Sequence, residues 1–185
     1  MNIERLILTK FRCFGPEPQT IELAPGVTAF VGANGAGKTA VMQALLRLFG
    51  TTSERRRLRR QDFHVPLDEE SPPATRTLCL EVILGFPELQ EKEEHEGSAI
   101  PEFFHQMAAD EEGQLKCRLR LDATWTDDGS IEGAIDAKYR AIRTLAPEFS
   151  DNDCSDVKTS DRGRLPGGCH CAPVADARSA RGARE

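Results

Sequence analysis

Residues 27–39, Val27-Thr28-Ala29-Phe30-Val31-Gly32-Ala33-Asn34-Gly35-Ala36-Gly37-Lys38-Thr39, restrict the possible folds of this chain more than any other stretch. Gly32, Gly37, Lys38 and Thr39 satisfy G-x-x-x-x-G-K-[ST], with an apolar run before them and an amphipathic run after them that ends near Phe49. The glycines let successive N–H groups turn inward, and the positive end of the following helix joins them to form an anion cradle for a nucleotide's phosphates. The backbone of Asn34, Gly35 and Ala36 belongs to that cradle, and a side chain at Gly37 would crowd the phosphates. Lys38 brings a compact charge to the β and γ oxygens, and the Thr39 hydroxyl can hold Mg²⁺. Val27 to Val31 reads as a strand apolar on both faces, as a buried central strand should be.

With 185 residues, 39% hydrophobic and 29% charged, the chain has the length and composition of one soluble domain. A net charge of -6 neither suggests nor excludes nucleic acid, because local patches decide. No apolar run reaches membrane-spanning length, and Glu4 and Arg5 interrupt any signal-peptide core, so a cytoplasmic location is expected and no membrane contact. Cys13, Cys79 and Cys117 stand alone in apolar runs and read as small core residues. Cys169-His170-Cys171 has no partner pair and is a weak metal motif.

Residues 2–10 read as a strand and Thr20-Ile21-Glu22-Leu23 as another, with turns at Phe11 to Pro16 and at Pro25-Gly26. The first core layer is therefore expected to be β-β-β, its third strand delivering the chain into the phosphate loop. Val41, Leu45, Leu48 and Phe49 then form one helical stripe, which Gly50 ends. Five arginines follow in the six positions from Arg55 to Arg60. This strip is either a contact for a nucleic-acid backbone or a solvated face.

Phe11-Arg12-Cys13-Phe14 at the end of the opening strand, together with the phosphate loop, resembles the N-lobe of the ABC-class heads of SMC, RecF and OLD-type (overcoming lysogenisation defect) ATPases. Arg60-Gln61-Asp62-Phe63-His64-Val65-Pro66 and Phe86-Pro87-Glu88-Leu89 look most like the OLD-type ATP-dependent endonucleases, which couple such a head to a Toprim nuclease. The resemblance covers roughly residues 1–165. It implies a mixed α/β P-loop NTPase fold of the ABC/SMC-head type with an antiparallel β flank, and ATP with Mg²⁺ as cofactors. It places Arg12 near the nucleotide and gives Gln61 or Asp62 the loop that senses the γ-phosphate and Mg²⁺. Partners implied are a second head, as a homodimer, and DNA.

Leu78, Leu80, Val82, Leu84 and Phe86 alternate with Cys79, Glu81, Ile83 and Gly85, which predicts a half-buried strand. Gln90 to Glu96 reads as an exposed connection and Pro101 to Met107 as a short helix, with His95 and His105 structural. Residues 115–143 form a predicted β-hairpin. A three-residue loop Asp127-Asp128-Gly129 would set Trp125 opposite Ile131, Leu121 opposite Ile135 and Arg120 opposite Asp136, keeping apolar residues on one face. Pairing Trp125 with Glu132 would mix the faces. The hairpin's expected role is scaffold.

Residues 1–150 thus read as an ATPase N-lobe and 151–185 as an irregular tail. Turnover in such heads needs an apolar strand ending in Asp-Glu and a Ser-Gly-Gly signature. Asp122 is the best candidate for the former, but Arg118 and Arg120 alternate through its strand and no Glu follows; Gly167-Gly168 lacks the serine. No catalytic residue and no Toprim-like acidic cluster is assigned. The change of composition after Leu165 suggests a translated frameshift or misassembled gene end, and a lobe so shortened would leave apolar sheet surface uncovered. Three readings follow: an ATP-binding lobe of a DNA-directed ATPase or nuclease; a self-standing kinase- or GTPase-like enzyme, against which the absence of Asn-Lys-x-Asp counts; and a nucleic-acid-binding module with a vestigial phosphate loop.

Overall fold

The computed structural model describes residues 1–87 and 106–157. The alternating runs form β1 (Asn2–Thr9), β2 (Gln19–Glu22), β3 (Thr75–Gly85), β4 (Met107–Ala109), β5 (Leu115–Thr126), β6 (Ala134–Ile142) and β7 (Cys154–Asp156). They make one sheet in the order β2-β1-β3-β5-β6-β7, with β4 also on β5. Every pairing is antiparallel. The antiparallel flank expected of the head thus accounts for the whole sheet among the described residues. Two helices, α1 (Lys38–Phe49) and α2 (Ser53–Arg56), join the sheet, and neither is long and apolar enough to cross a membrane.

Register carries the apolar face across the sheet. Leu8, Leu80, Leu121 and Tyr139 form one row, and Leu6, Val82, Leu119 and Ala141 the next. Of the helical stripe seen in the sequence, Val41 and Leu48 bury in the same core together with Ala40 and Ala44, while Leu45 and Phe49 are half-buried against it. Gly50 ends α1 with its N–H on the Leu46 carbonyl, 2.9 Å away.

Several expectations are corrected. Val27 to Val31 forms no strand, and Val27 and Val31 are 90% and 95% exposed. A strand exists only by pairing, and no described strand lies alongside this segment. The half-buried β3 is instead covered on both faces from Glu81 onward. On the second face Glu81 pairs with Arg118 at 2.9 Å. Arg118 donates to the Thr144 and Ala146 carbonyls, and Arg118 and Arg120 stack on Phe149. A charge so buried persists because it is paired and hydrogen-bonded.

The hairpin forms with a different register. Trp125 pairs with Ile135, Leu121 with Tyr139 and Arg120 with Arg140, not with Ile131, Ile135 and Asp136. The loop spans 127–133, because Ser130 to Gly133 make a further turn: Gly133 has φ 70° and its N–H donates to Ser130 Oγ at 3.0 Å. The shift is an even number of residues, so the faces are those expected. Gln106 and Met107, placed in a helix by the sequence, form a turn and the start of β4; residues 101–105, with the Gln90 to Glu96 connection, His95 and His105, lie outside the described residues. Within the expected tail, Asp151–Asp153 forms a 3-10 turn and β7 joins β6; residues from 158 onward lie outside the description.

Candidate nucleotide site

The chain leaves Phe30 through an exposed loop and enters α1 at Lys38. Gly35 and Gly37 sit in the left-handed region at φ 83° and 88°, which residues with a Cβ rarely adopt. A Cβ on Gly37 would lie 3.1 Å from Phe14 Cζ and 3.3 Å from Cys13 Sγ. Gly37 is therefore closed on its protein side by the 11–14 turn. Lys38 Nζ folds back over the loop and donates to the Gly32 and Ala33 carbonyls, each at 2.7 Å. The N-terminus of α1 has no side-chain cap and no acidic residue in its first turn. Its outward N–H groups and positive dipole end thus have no anionic side chain of the chain's own against them. A phosphate group fits this donor set, and Thr39, exposed on the first turn, is placed to supply a hydroxyl to a cation beside it.

Arg12 and the 60–64 segment form a second unit beside the loop. Lys10 and Arg12 both have left-handed φ angles, 53° and 52°. Phe11 bridges to Phe63, and the His64 N–H donates to the Lys10 carbonyl at 3.0 Å. Arg12 N–H donates to the Asp62 carbonyl at 2.9 Å, and His64 Nδ1–H to the Arg12 carbonyl at 2.7 Å. The Asp62 carboxylate is fully buried between two guanidinium groups, Arg12 Nε at 2.9 Å and Arg47 Nε at 2.8 Å. Asp62 Oδ2 also accepts the Arg59 N–H at 3.1 Å.

The two residues left open by the sequence therefore occupy different environments. Asp62 is spent on arginines inside the protein, whereas Gln61 is exposed and lines a recess of about 430 Å³ with Arg12, Gln43, Arg47, Arg55 and Arg59. Glu54 adds a carboxylate to that recess. Asp122 is held by Arg120 and Arg140 at 2.9 and 2.7 Å, on the face opposite α1. Cys13, expected in the core, is exposed at the phosphate loop, because it sits in the strained turn and not in β1.

The arginine strip is dispersed. Arg56 donates to the Gly50 carbonyl, Arg59 pairs with Glu54 at 2.7 Å, and Arg60 lies over Trp125 at 5.0 Å while donating to the Ile131 carbonyl. The contact between Arg60 and Trp125 carries no sequence signal, because it joins residues from distant stretches.

The family described as AAA domain matches residues 5–123. A DNA replication and repair protein RecF from Arthrobacter sp. (strain FB24) is 46% identical over 55 residues, 30% of this chain and 13% of that protein. The chain thus matches only a small part of that relative's length. Two solved structures share the fold. One, from work on ATP-driven dimerization and DNA-stimulated activation of SMC ATPases, has a TM-score of 0.52 at 18% identity and covers 89% of this chain and 76% of its own. The other, an Smc head bound to the C-winged helix domain of ScpA, has a TM-score of 0.51 at 17% identity and covers 89% of this chain and 39% of its own.

Proposed function

The chain belongs to the AAA domain family, and from that premise we propose that it binds Mg-ATP at residues 32–39 as the N-terminal lobe of an ATPase head of the SMC and RecF kind. The observation that carries this is the uncapped start of α1 behind two left-handed glycines, with Lys38 held over the loop by two carbonyls. In this reading the N–H groups of Gly32 to Thr39, Asn34, Gly35, Ala36 and Gly37 among them, cradle phosphate oxygens. Lys38 exchanges loop carbonyls for phosphate oxygens, and Thr39 would hold Mg²⁺. Bound Mg²⁺ would offset the charge of the phosphates. Arg12 and Gln61 flank the phosphates, with Gln61 the γ-phosphate sensor because Asp62 is buried.

The finer reading is an OLD-type ATP-dependent endonuclease. Arg60-Gln61-Asp62-Phe63-His64-Val65-Pro66 supports it, and in this chain that stretch is the one that packs on the Arg12 turn. A second head and DNA are the proposed partners, by likeness to the SMC ATPases whose description includes both dimerization and DNA. Cytoplasmic location is part of the same proposal.

Equilibrium binding of Mg-ATP to the chain and to Lys38→Ala, with phosphate release followed in the same samples, tests this. Binding that weakens at least about tenfold in Lys38→Ala, without turnover, is expected, since a charge-assisted contact is worth about 1.5–3 kcal/mol. Steady turnover would put the self-standing enzyme first. Salt-dependent DNA affinity with no Lys38-dependent nucleotide binding would favour the module with a vestigial loop.

A further inference from the structure

Asp62 touches three parts of the site at once: Arg12 beside the phosphate loop, Arg47 on the helix that Lys38 begins, and the N–H of Arg59 at the head of the Gln61 turn. Arg12 is held by both Nε and Nη2, at 2.9 and 2.8 Å from Oδ1. A non-glycine residue at φ 52° persists only where its surroundings over-determine it. Here those surroundings are Asp62 and His64, which grip the Arg12 N–H, guanidinium and carbonyl. The residues that follow Arg12, Cys13 and Phe14, lie against Gly37. Moving Arg12 therefore moves the wall of the phosphate loop.

We propose that Asp62 is a positioning residue for the nucleotide: it fixes Arg12 at the wall of the phosphate loop and ties it, through Arg47, to the helix that carries Lys38. Asp62 itself makes no ligand contact, and its whole effect on nucleotide affinity passes through Arg12. This rests on the reading of residues 32–39 as an ATP site. A buried aspartate that only holds the fold together would instead act independently of Arg12.

The test is a double-mutant cycle on the full 185-residue chain, reading Mg-ATP affinity alongside the thermal melt, with Lys38→Ala as reference. Arg12→Gln and Asp62→Asn should each weaken binding by about tenfold, and the double variant no more than Arg12→Gln alone. Asp62→Asn binding like wild type overturns the proposal, as does a full additional loss in the Arg12→Gln background. If Asp62→Asn does not fold, Arg47→Gln takes its place: a loss of about threefold or more is expected, and it must vanish in Arg12→Gln/Arg47→Gln; its persistence there overturns the proposal. Affinity unchanged by Lys38→Ala would instead refute the ATP site itself, and the proposal with it.

Discussion

Two glycines in the β5–β6 loop separate the effect of backbone conformation from that of crowding. Gly129 and Gly133 both lie in the left-handed region, at φ 81° and 70°. A Cβ on Gly129 would meet nothing within 4 Å, whereas one on Gly133 would fall 2.2 Å from Trp125 Nε1. That indole N–H donates to the Glu132 carbonyl at 2.7 Å, so it is fixed in place. Gly129→Ala is expected to cost about 1 kcal/mol from backbone strain alone. Gly133→Ala should cost about 3 kcal/mol, because overpacking adds to the strain; urea denaturation midpoints of the two variants check the difference. The cysteines offer a second residue-scale prediction. Burial pushes the Cys79 and Cys117 thiols up from an ordinary 9.0 to about 12, while Cys13 is exposed. Iodoacetamide at pH 8 should therefore alkylate Cys13 and spare Cys79 and Cys117 in the folded chain, as peptide mapping would show. The raised folded values also fix a sign. Between pH 9 and 12 the unfolded thiols lose protons that the folded ones keep, so stability falls as pH rises through that window. Replacing both cysteines with alanine should remove that part of the alkaline loss.

At the scale of elements, what the sequence made legible was what is local. The phosphate loop, α1 and its glycine stop, and the alternating strands all rest on neighbours a few residues away. The hairpin's faces were legible by parity, but its register was not, because Ile131 continues the alternation while Gly133 turns the chain once more. Glu81 looked like a solvent-facing residue because Arg118, which buries with it, is 37 positions along the chain. Asp62 was ambiguous for the same reason: its arginine partners stand 50 and 15 positions away. Val27 to Val31 shows the opposite error. Its apolarity reports a preference for burial and names no partner strand, so the segment read as a central strand, whereas it forms none and its two valines are exposed. The difference is measurable. Val31→Asp should change stability by no more than about 0.5 kcal/mol, as at an ordinary surface position. A cost of about 2 kcal/mol or more, seen as a shift in the urea midpoint, would mean that the segment pairs in solution.

For the molecule as a whole, the arginine strip and the net charge make opposing demands on any nucleic-acid partner. The chain carries a net charge of -6, so its long-range field does not draw DNA in. Only close contacts can hold a phosphate backbone, and the strip has already committed most of its guanidinium groups to the scaffold. Arg56, Arg59 and Arg60 bond to the Gly50 carbonyl, Glu54 and the Ile131 carbonyl. Among the described residues the side chains of Arg55 and Arg57 have no such partner, and each is exposed. Of the five arginines in a strip that read in sequence as either a phosphate-backbone contact or a solvated face, the structure thus leaves about two for phosphate contacts. Counterion release then predicts the salt dependence. The logarithm of the association constant for duplex DNA should fall with the logarithm of salt at a slope of about -2, following about -0.9 per neutralised phosphate. Fluorescence anisotropy with a labelled duplex between low and moderate salt gives that slope directly. Arg55→Ala with Arg57→Ala should flatten it towards zero, while Arg56→Ala should leave it unchanged. A wild-type slope of about -4 or steeper would mean that Arg56, Arg59 and Arg60 exchange their present partners for phosphates, and that the segment carrying Gln61 rearranges when DNA binds.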